Sequence, residues 1–228
     1  MTQQVTAVIP ARGGSKGVPG KNLREVGGAS LVARSVRTAL AATSVTRTVV
    51  SSDSDAILDE AQRHGAEALR RPTDLAGDTA SSESALVHAV ETLGLHDAVL
   101  VFLQCTSPFV APATVDAAVG LVTSGAADTA FAATGFHGFL WDADGAAQGH
   151  DPMFRPRRQD LPQRWLETGG FYVFRAADLL TSGTRFNGRT RPVEVSPIEA
   201  LEIDSFEELA LARATAEVLA APTADTDV

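Results

Sequence analysis

Val5-Thr6-Ala7-Val8-Ile9-Pro10-Ala11-Arg12-Gly13-Gly14-Ser15-Lys16-Gly17-Val18-Pro19-Gly20-Lys21-Asn22 is the stretch that decides the fold. Its apolar start, Val5 to Ile9, reads as a buried strand, and the amphipathic run Leu31–Leu40 beyond it reads as a helix. A strand, a glycine-rich loop and then a helix present backbone N–H groups and positive charge to a phosphate. The loop also holds both lysines of the chain, Lys16 and Lys21, while every other member of the 19 Lys+Arg is arginine. That bias indicates a need for compact ammonium groups here rather than guanidinium forks. Two better-known phosphate motifs do not fit. In the P-loop frame Ser15 stands for the first glycine and Asn22 for the metal-binding hydroxyl residue. In the dinucleotide frame Ser15 again replaces a glycine. What remains is a loop with three cations, Arg12, Lys16 and Lys21, suited to a triphosphate. The alternative is an exposed turn whose charges only solvate it, and the absence of lysine elsewhere weighs against that.

Outward from this stretch, strand and helix patterns alternate. Strands are expected at Arg47–Val50, Ala66–Leu69, Ala98–Leu103 and Thr129–Thr134. Helices are expected at Ser54–His64 (closed by Gly65), Ser81–Leu93 (closed by Gly94) and Ala111–Val122. Interleaving of this kind predicts an α/β fold with a mainly parallel sheet covered on both faces, its ligand beyond the carboxyl ends of the strands. The glycine loop, Ser51-Ser52-Asp53 and Gln104-Cys105-Thr106-Ser107-Pro108 all fall at those ends. From Gly135 to about Arg164 the rhythm breaks, and Trp141, Trp165, Phe136, Phe139 and Phe154 lie in or beside the break. So aromatic a segment predicts an excursion that packs against a second copy of the protein, or else a β-hairpin folded back on its own domain. A strand at Gly170–Phe174 and a last helix at Phe206–Leu219 follow. One domain over residues 1–220 is expected, with a disordered polar tail from 221 to 228.

The 228-residue length suits a single domain, and the formal charge of −9 argues against general nucleic-acid binding. The basic residues cluster at Arg12–Arg24 and Arg155–Arg164, as a small anionic ligand would require. No apolar stretch approaches the ~20 residues of a membrane helix. The single Cys105 and the lack of a signal-peptide pattern predict a cytoplasmic protein. The five histidines show no metal-ligand spacing; His64 and His88 fall on helices, and His137 and His150 lie in the excursion within reach of a ligand.

Taken in order, several blocks resemble one family. Val8-Ile9-Pro10-Ala11-Arg12-Gly13-Gly14-Ser15-Lys16-Gly17 with Pro19-Gly20-Lys21-Asn22 is similar to the signature of the CMP-sialic acid synthetases, the acylneuraminate cytidylyltransferases. Val50-Ser51-Ser52-Asp53-Ser54 resembles V-S-T-D-S. Arg71-Pro72 through Leu75-Ala76-Gly77-Asp78-Thr79 resembles R-P-x-x-L-A-x-D-T, and Leu103-Gln104-Cys105-Thr106-Ser107-Pro108 resembles L-Q-P-T-S-P. Arg158-Gln159-Asp160-Leu161-Pro162 with Gly169 and Tyr172, and then Glu202-Ile203-Asp204 for D-I-D, extend the likeness over nearly the whole chain.

The resemblance implies a Rossmann-like three-layer nucleotidyltransferase fold and transfer of CMP from CTP to the anomeric hydroxyl of a nonulosonic acid, releasing pyrophosphate. It implies that Arg12, Lys16 and Lys21 hold the triphosphate within the Ala11, Gly13, Gly14, Ser15 loop. Asn22, Arg71, Ala80 (through its backbone) and Ser82 would shape the nucleoside pocket. Gln104, Thr106, Ser107, Arg158 and Gln159 would meet the sugar, and Glu202 and Asp204 would carry Mg2+. It further implies a homodimer through the 135–165 excursion, which lends a basic side chain to the other copy's site. Two carboxylates two residues apart on a strand share one face; the plain alternative is a pair of surface acids before a helix, with Asp204 or Ser205 as its N-cap.

The chain departs from the pattern at four places. Glu202 replaces an aspartate, Val110 stands where an arginine is common, Cys105 replaces a proline, and Thr168 replaces an asparagine. Cys105 reads as a small buried residue. Two other functions fit the residues: a cytidylyltransferase for another acid, such as Kdo or a phosphonate, and a protein that binds nucleotide without turnover.

Overall fold

The computed structural model describes residues 3–77 and 80–221. Asp78, Thr79 and the expected disordered tail from 222 onward lie outside the described residues. The central sheet is built from β1 (Val5–Pro10), β2 (Arg47–Ser52), β3 (Glu67–Arg70), β4 (Val99–Leu103), β5 (Thr129–Phe136), β6 (Arg164–Arg175) and β7 (Thr190–Glu194). Its order is β7-β5-β6-β4-β1-β2-β3. β1 pairs in parallel with β2 and β4, β2 with β3, and β5 with β7, while β6 runs antiparallel to both its neighbours. The mainly parallel sheet is therefore as expected, with one reversed strand.

The helices are α1 (Leu31–Ala41), α2 (Asp55–Arg63), α3 (Ser82–Leu93), α4 (Pro112–Thr123), α5 (Ala176–Ser182) and α6 (Phe206–Ala220). One face of the sheet is covered by α1, α2, α4 and α6, through Val32, Val36, Ile57, Val115, Val119 and Leu209. The other is covered by α3 and α5, through Leu86, Val90 and Leu179 packed on Leu100 and Phe174. This gives three layers, with β1 and β4 buried on both sides, as their unbroken apolar runs require.

Local chemistry explains where the elements stop. The Ser30 and Ser81 side chains accept hydrogen bonds from Ala33 N and Ser84 N at the starts of α1 and α3. Gly94 ends α3 at φ 66, and Gly65 follows α2 at φ 92, both in the left-handed region. Ser205, not Asp204, caps α6, in a capping box with Glu208.

Three expectations need correction. β2 runs two residues past Val50, carrying Ser51 and Ser52 into the sheet. β6 begins at Arg164, and its first residues Arg164–Glu167 pair with Phe136–Ala133 of β5 before the register shifts between Glu167 and Tyr172. That ladder takes both ends of the expected 135–165 excursion into the sheet, leaving 137–163 between the strands. Finally, residues 201–203 form no strand, so Glu202 and Asp204 owe their neighbourhood to an irregular connection rather than to strand alternation.

Within 137–163 a two-residue hairpin pairs Leu140–Trp141 with Ala147–Gln148. Met153 is 90% exposed and Phe154 69%, with Leu140, Trp141 and Leu166 also exposed. The segment does form a hairpin, and its large side chains still face outward.

Candidate active site

β1 lies where the strand order reverses, between β2 on one side and β4 on the other. A cleft of about 300 Å3 opens above that point, at the carboxyl ends of β1, β3 and β4. The chain returns to its walls from four places. The loop after β1 supplies Arg12, Ser15, Lys21 and Asn22, and the start of α3 supplies Ala80, Ser81 and Ser82. Arg71 follows β3, and Gln104 and Thr106 follow β4.

The glycine loop is pinned rather than loose. Ala11 N donates to Ser51 O at 2.9 Å, and Gly13 N donates to the Asp53 carboxylate at 2.9 Å. Asn22 Nδ2 donates to Arg12 O at 2.9 Å, bracing the loop from its far end. Lys21 Nζ donates to Ile203 O and to Asp204 Oδ1, both at 2.8 Å. Gly17 lies directly against the Asp204 carbonyl, so that any side chain there would collide with backbone. Loop and acid connection are thus one packed unit. Lys21 is largely buried, whereas the Asp204 side chain is 73% exposed and open to further contacts.

Arg71 is only 5% exposed, and its Nε has no hydrogen-bond partner among the described residues. Burial pulls its guanidinium below the ordinary arginine value; the Asp53 charge opposes that pull and the Arg12 charge adds to it. A buried donor facing a polar cleft is a group waiting for an acceptor.

Glu202 is half-buried over Gly169, beside the Gln104 amide, and a side chain at 169 would overlap its carboxylate. Its carboxyl is held above the usual range first by burial and then by Asp204, with the Gly169 amide and Lys21 partly offsetting this. A half-buried carboxylate raised in part by a neighbouring carboxylate belongs to an oxygen donor set that a hard divalent cation would relieve. Among the described residues no three His, Cys, Asp or Glu side chains gather to hold a metal. Glu202 and Asp204 are the carboxylates here that could hold a divalent cation, a class that needs few protein ligands.

Not every expected residue reaches the cleft. Ala11 is buried beneath it, and Gly13, Gly14 and Lys16 belong to the loop without lining it. Ser107 is buried, with its hydroxyl unpaired among the described residues. Arg158 and Gln159 lie in the 137–163 segment, where Arg158 borders a separate cleft with His137, Thr134 and Glu194. Neither Arg158 nor Gln159 lines the cleft that holds Gln104. His150 sits against the rings of Phe139 and Trp141. Val110 is buried in the core against Gly170, so its replacement of an arginine leaves a packed wall and not a gap in the cleft. Cys105 is buried, and its thiol is pushed up to about 12 by burial.

Sequence reasoning passed over Ser81, Pro10, Leu75 and Ala76, which complete the lining together with the buried Cys105. It also gave no role to Asp53, which holds Gly13. The strand-end position of Ser51-Ser52-Asp53 was the available signal.

Residues 6–137 match the family model described as Cytidylyltransferase. Over 210 residues the chain is 30% identical to N-acylneuraminate cytidylyltransferase A of Danio rerio, covering 89% of this chain and 48% of that protein. It is 27% identical over 216 residues to the pseudaminic acid cytidylyltransferase of Campylobacter jejuni subsp. jejuni serotype O:23/36 (strain 81-176), covering 90% of this chain and 93% of that one. The chain spans about half the length of the fish relatives it matches. In fold it is similar to a CMP:2-keto-3-deoxy-manno-octonic acid synthetase solved with CTP, at a TM-score of 0.71 and 19% identity, covering 95% of this chain and 100% of that one. The family model spans more than half of the chain, and on that ground the chain belongs to the cytidylyltransferase family.

Proposed function

We propose that this protein transfers CMP from CTP to the anomeric hydroxyl of a sialic-acid-like nonulosonic acid, releasing pyrophosphate. The observation that carries the proposal is the pinned cationic loop at the mouth of the cleft, with Lys21 joined to Asp204. The kinship with cytidylyltransferases for neuraminic and pseudaminic acids supports the choice of acid.

In this reading Arg12, Lys16 and Lys21 hold the triphosphate and offset the charge that grows on the departing pyrophosphate. Arg71, with its unpaired Nε, Asn22, the Ala80 backbone and Ser82 hold the nucleoside. Gln104, with Thr106, receives the sugar and lines its hydroxyl up with the α-phosphate, so that placement contributes much of the acceleration. Glu202 and Asp204 would hold Mg2+, which when bound would neutralise phosphate oxygens. Lys21 and the cation would then compete for Asp204, so loading the site would loosen the Lys21–Asp204 pair.

The protein acts as a homodimer in this reading. The exposed Trp141, Met153 and Phe154 meet a second copy, and Arg158 and Gln159 of each chain serve the other's sugar site.

The test is pyrophosphate release with Mg2+, each of the four NTPs being offered against N-acetylneuraminic acid, Kdn, legionaminic acid, pseudaminic acid and Kdo. Release with CTP and a nine-carbon acid only is the expected result. Release with Kdo alone would move the assignment to that acid. CTP binding with no turnover on any acid would make the chain a nucleotide-binding protein.

A further inference from the structure

Asp53 stands at the meeting point of the two halves of the nucleotide cleft. Its Oδ1 accepts from Gly13 N at 2.9 Å, which fixes the loop one residue past Arg12. Gly13 is tightly seated there, since a Cβ at that position would come 3.1 Å from Ser54 Cβ. On the other side the Asp53 charge supports the buried Arg71 guanidinium, which Arg12 repels. The Asp53 backbone is held as well, because Arg70 Nη1 donates to its carbonyl at 2.7 Å and Arg70 pairs with Asp55. Arg71 N in turn donates to Ser52 O at 2.9 Å. One carboxylate therefore fixes a loop amide, and its charge favours the cationic form of the buried Arg71 against the like charge of Arg12.

We propose that Asp53 is a positioning residue, setting the triphosphate loop and the nucleoside-binding Arg71 in one geometry before the nucleotide arrives. It touches the binding groups and not the substrate. The hydrogen bond to Gly13 is charge-assisted and holds the loop amide without help from a ligand. Its charge also offsets the like charge that Arg12 presents to the buried Arg71. Loop and nucleoside pocket are then preorganised together, so less of the binding energy goes into ordering them. The inference rests on the nucleotide reading above.

Two variants separate the two duties. Asp53→Asn keeps an acceptor for Gly13 N and removes the charge, while Asp53→Ala removes both. Three quantities are measured: amide hydrogen exchange across residues 11–17 without ligand, the dissociation constants for CTP and for inorganic pyrophosphate, and the thermal midpoint. Asp53→Ala is expected to speed exchange in the loop and to weaken CTP at least tenfold and pyrophosphate severalfold. Asp53→Asn is expected to leave exchange near wild type and to weaken CTP severalfold through Arg71, with pyrophosphate little changed. KM for the acid substrate should stay within twofold in both. Unchanged loop exchange in Asp53→Ala, or a CTP affinity that does not move in either variant, would overturn the proposal. So would losses that spread equally to KM for the acid and track the thermal midpoint, which is what a merely structural role predicts. Wild-type protein that binds no CTP would sink the nucleotide reading itself, and the loop exchange would still report on what Asp53 holds.

Discussion

The glycine loop and the 137–163 segment are both rich in cations, and they meet their surroundings in opposite ways. The loop is anchored inside the chain: Gly13 on Asp53, Asn22 on the Arg12 carbonyl, Lys21 on Ile203 and Asp204, Gly17 on the Asp204 backbone. The segment turns Met153, Phe154, Trp141 and Leu140 toward solvent, and its Arg158 faces a cleft of its own. One region is completed by its own chain. The other leaves Leu140, Trp141, Met153 and Phe154 exposed among the described residues, with Arg158 at a separate cleft. In the proposed reading the nucleotide half of the site is built within one chain, and a second copy would complete the acid half around Gln104 and Thr106.

The largest expected effect tests the self-contained half. Lys21→Ala should lower kcat/KM for CTP by about 100-fold or more, the scale seen when one preorganised charge-stabilising donor is removed. Arg175→Ala, a cation of β6 bonded to the Val122 carbonyl, is the control and should change kcat/KM by no more than about twofold. Equal losses would dissolve the distinction between loop cations and structural ones.

Phe154→Asp tests the other half. A charge at the most prominent aromatic of the segment should raise the dimer dissociation constant by roughly 30-fold, as loss of an interface anchor does. Sedimentation velocity across a dilution series reads this. Activity should fall in step with dissociation while CTP affinity stays. A monomer with full activity would show that the acid half is also complete within one chain.

Glu202 gives a smaller, thermodynamic effect. Folding raises its carboxyl above the unfolded value, so between the two values the folded state binds more protons. Stability therefore falls as pH rises through that window, and at neutral pH the full penalty is present. Without metal, Glu202→Gln should raise the thermal midpoint at pH 7 by on the order of 2 °C, the gain vanishing below the unfolded glutamate value. Added Mg2+ should stabilise the wild type more than the variant. Scanning calorimetry against pH decides it.

The smallest effect is at Cys105. With its thiol pushed up to about 12 and the side chain buried, it should resist a thiol reagent at pH 8 in the native protein and react on unfolding.

Much of this was legible from sequence because it is local. The buried strand Val5–Pro10, the serine and glycine helix ends and the strand-end loops each follow from a few adjacent residues. β6 was read too short because Gly169 and Gly170 interrupt its alternation and the register shifts between Glu167 and Tyr172. The acid pair was put on a strand although Ile203 makes only isolated links, its N–H to Thr106 O and its carbonyl to Lys21. The role of Asp53 depends on a contact 40 residues away, which no local pattern encodes.

The grip of Lys21 on Ile203 and Asp204 spans 182 and 183 residues of chain. α6 reinforces it from outside, with Arg213 donating to the Glu25 carbonyl. Such a closure is among the most distant in sequence that this chain can make, and its entropy is lost before its contacts form. On the ribosome the strand that carries the loop emerges long before residues 201–204, and the loop cannot take its final seat until those residues have left the tunnel. The nucleotide cleft is therefore finished only once the chain has been made past Asp204. A chain still under construction has its cationic loop without the acid turn that completes it.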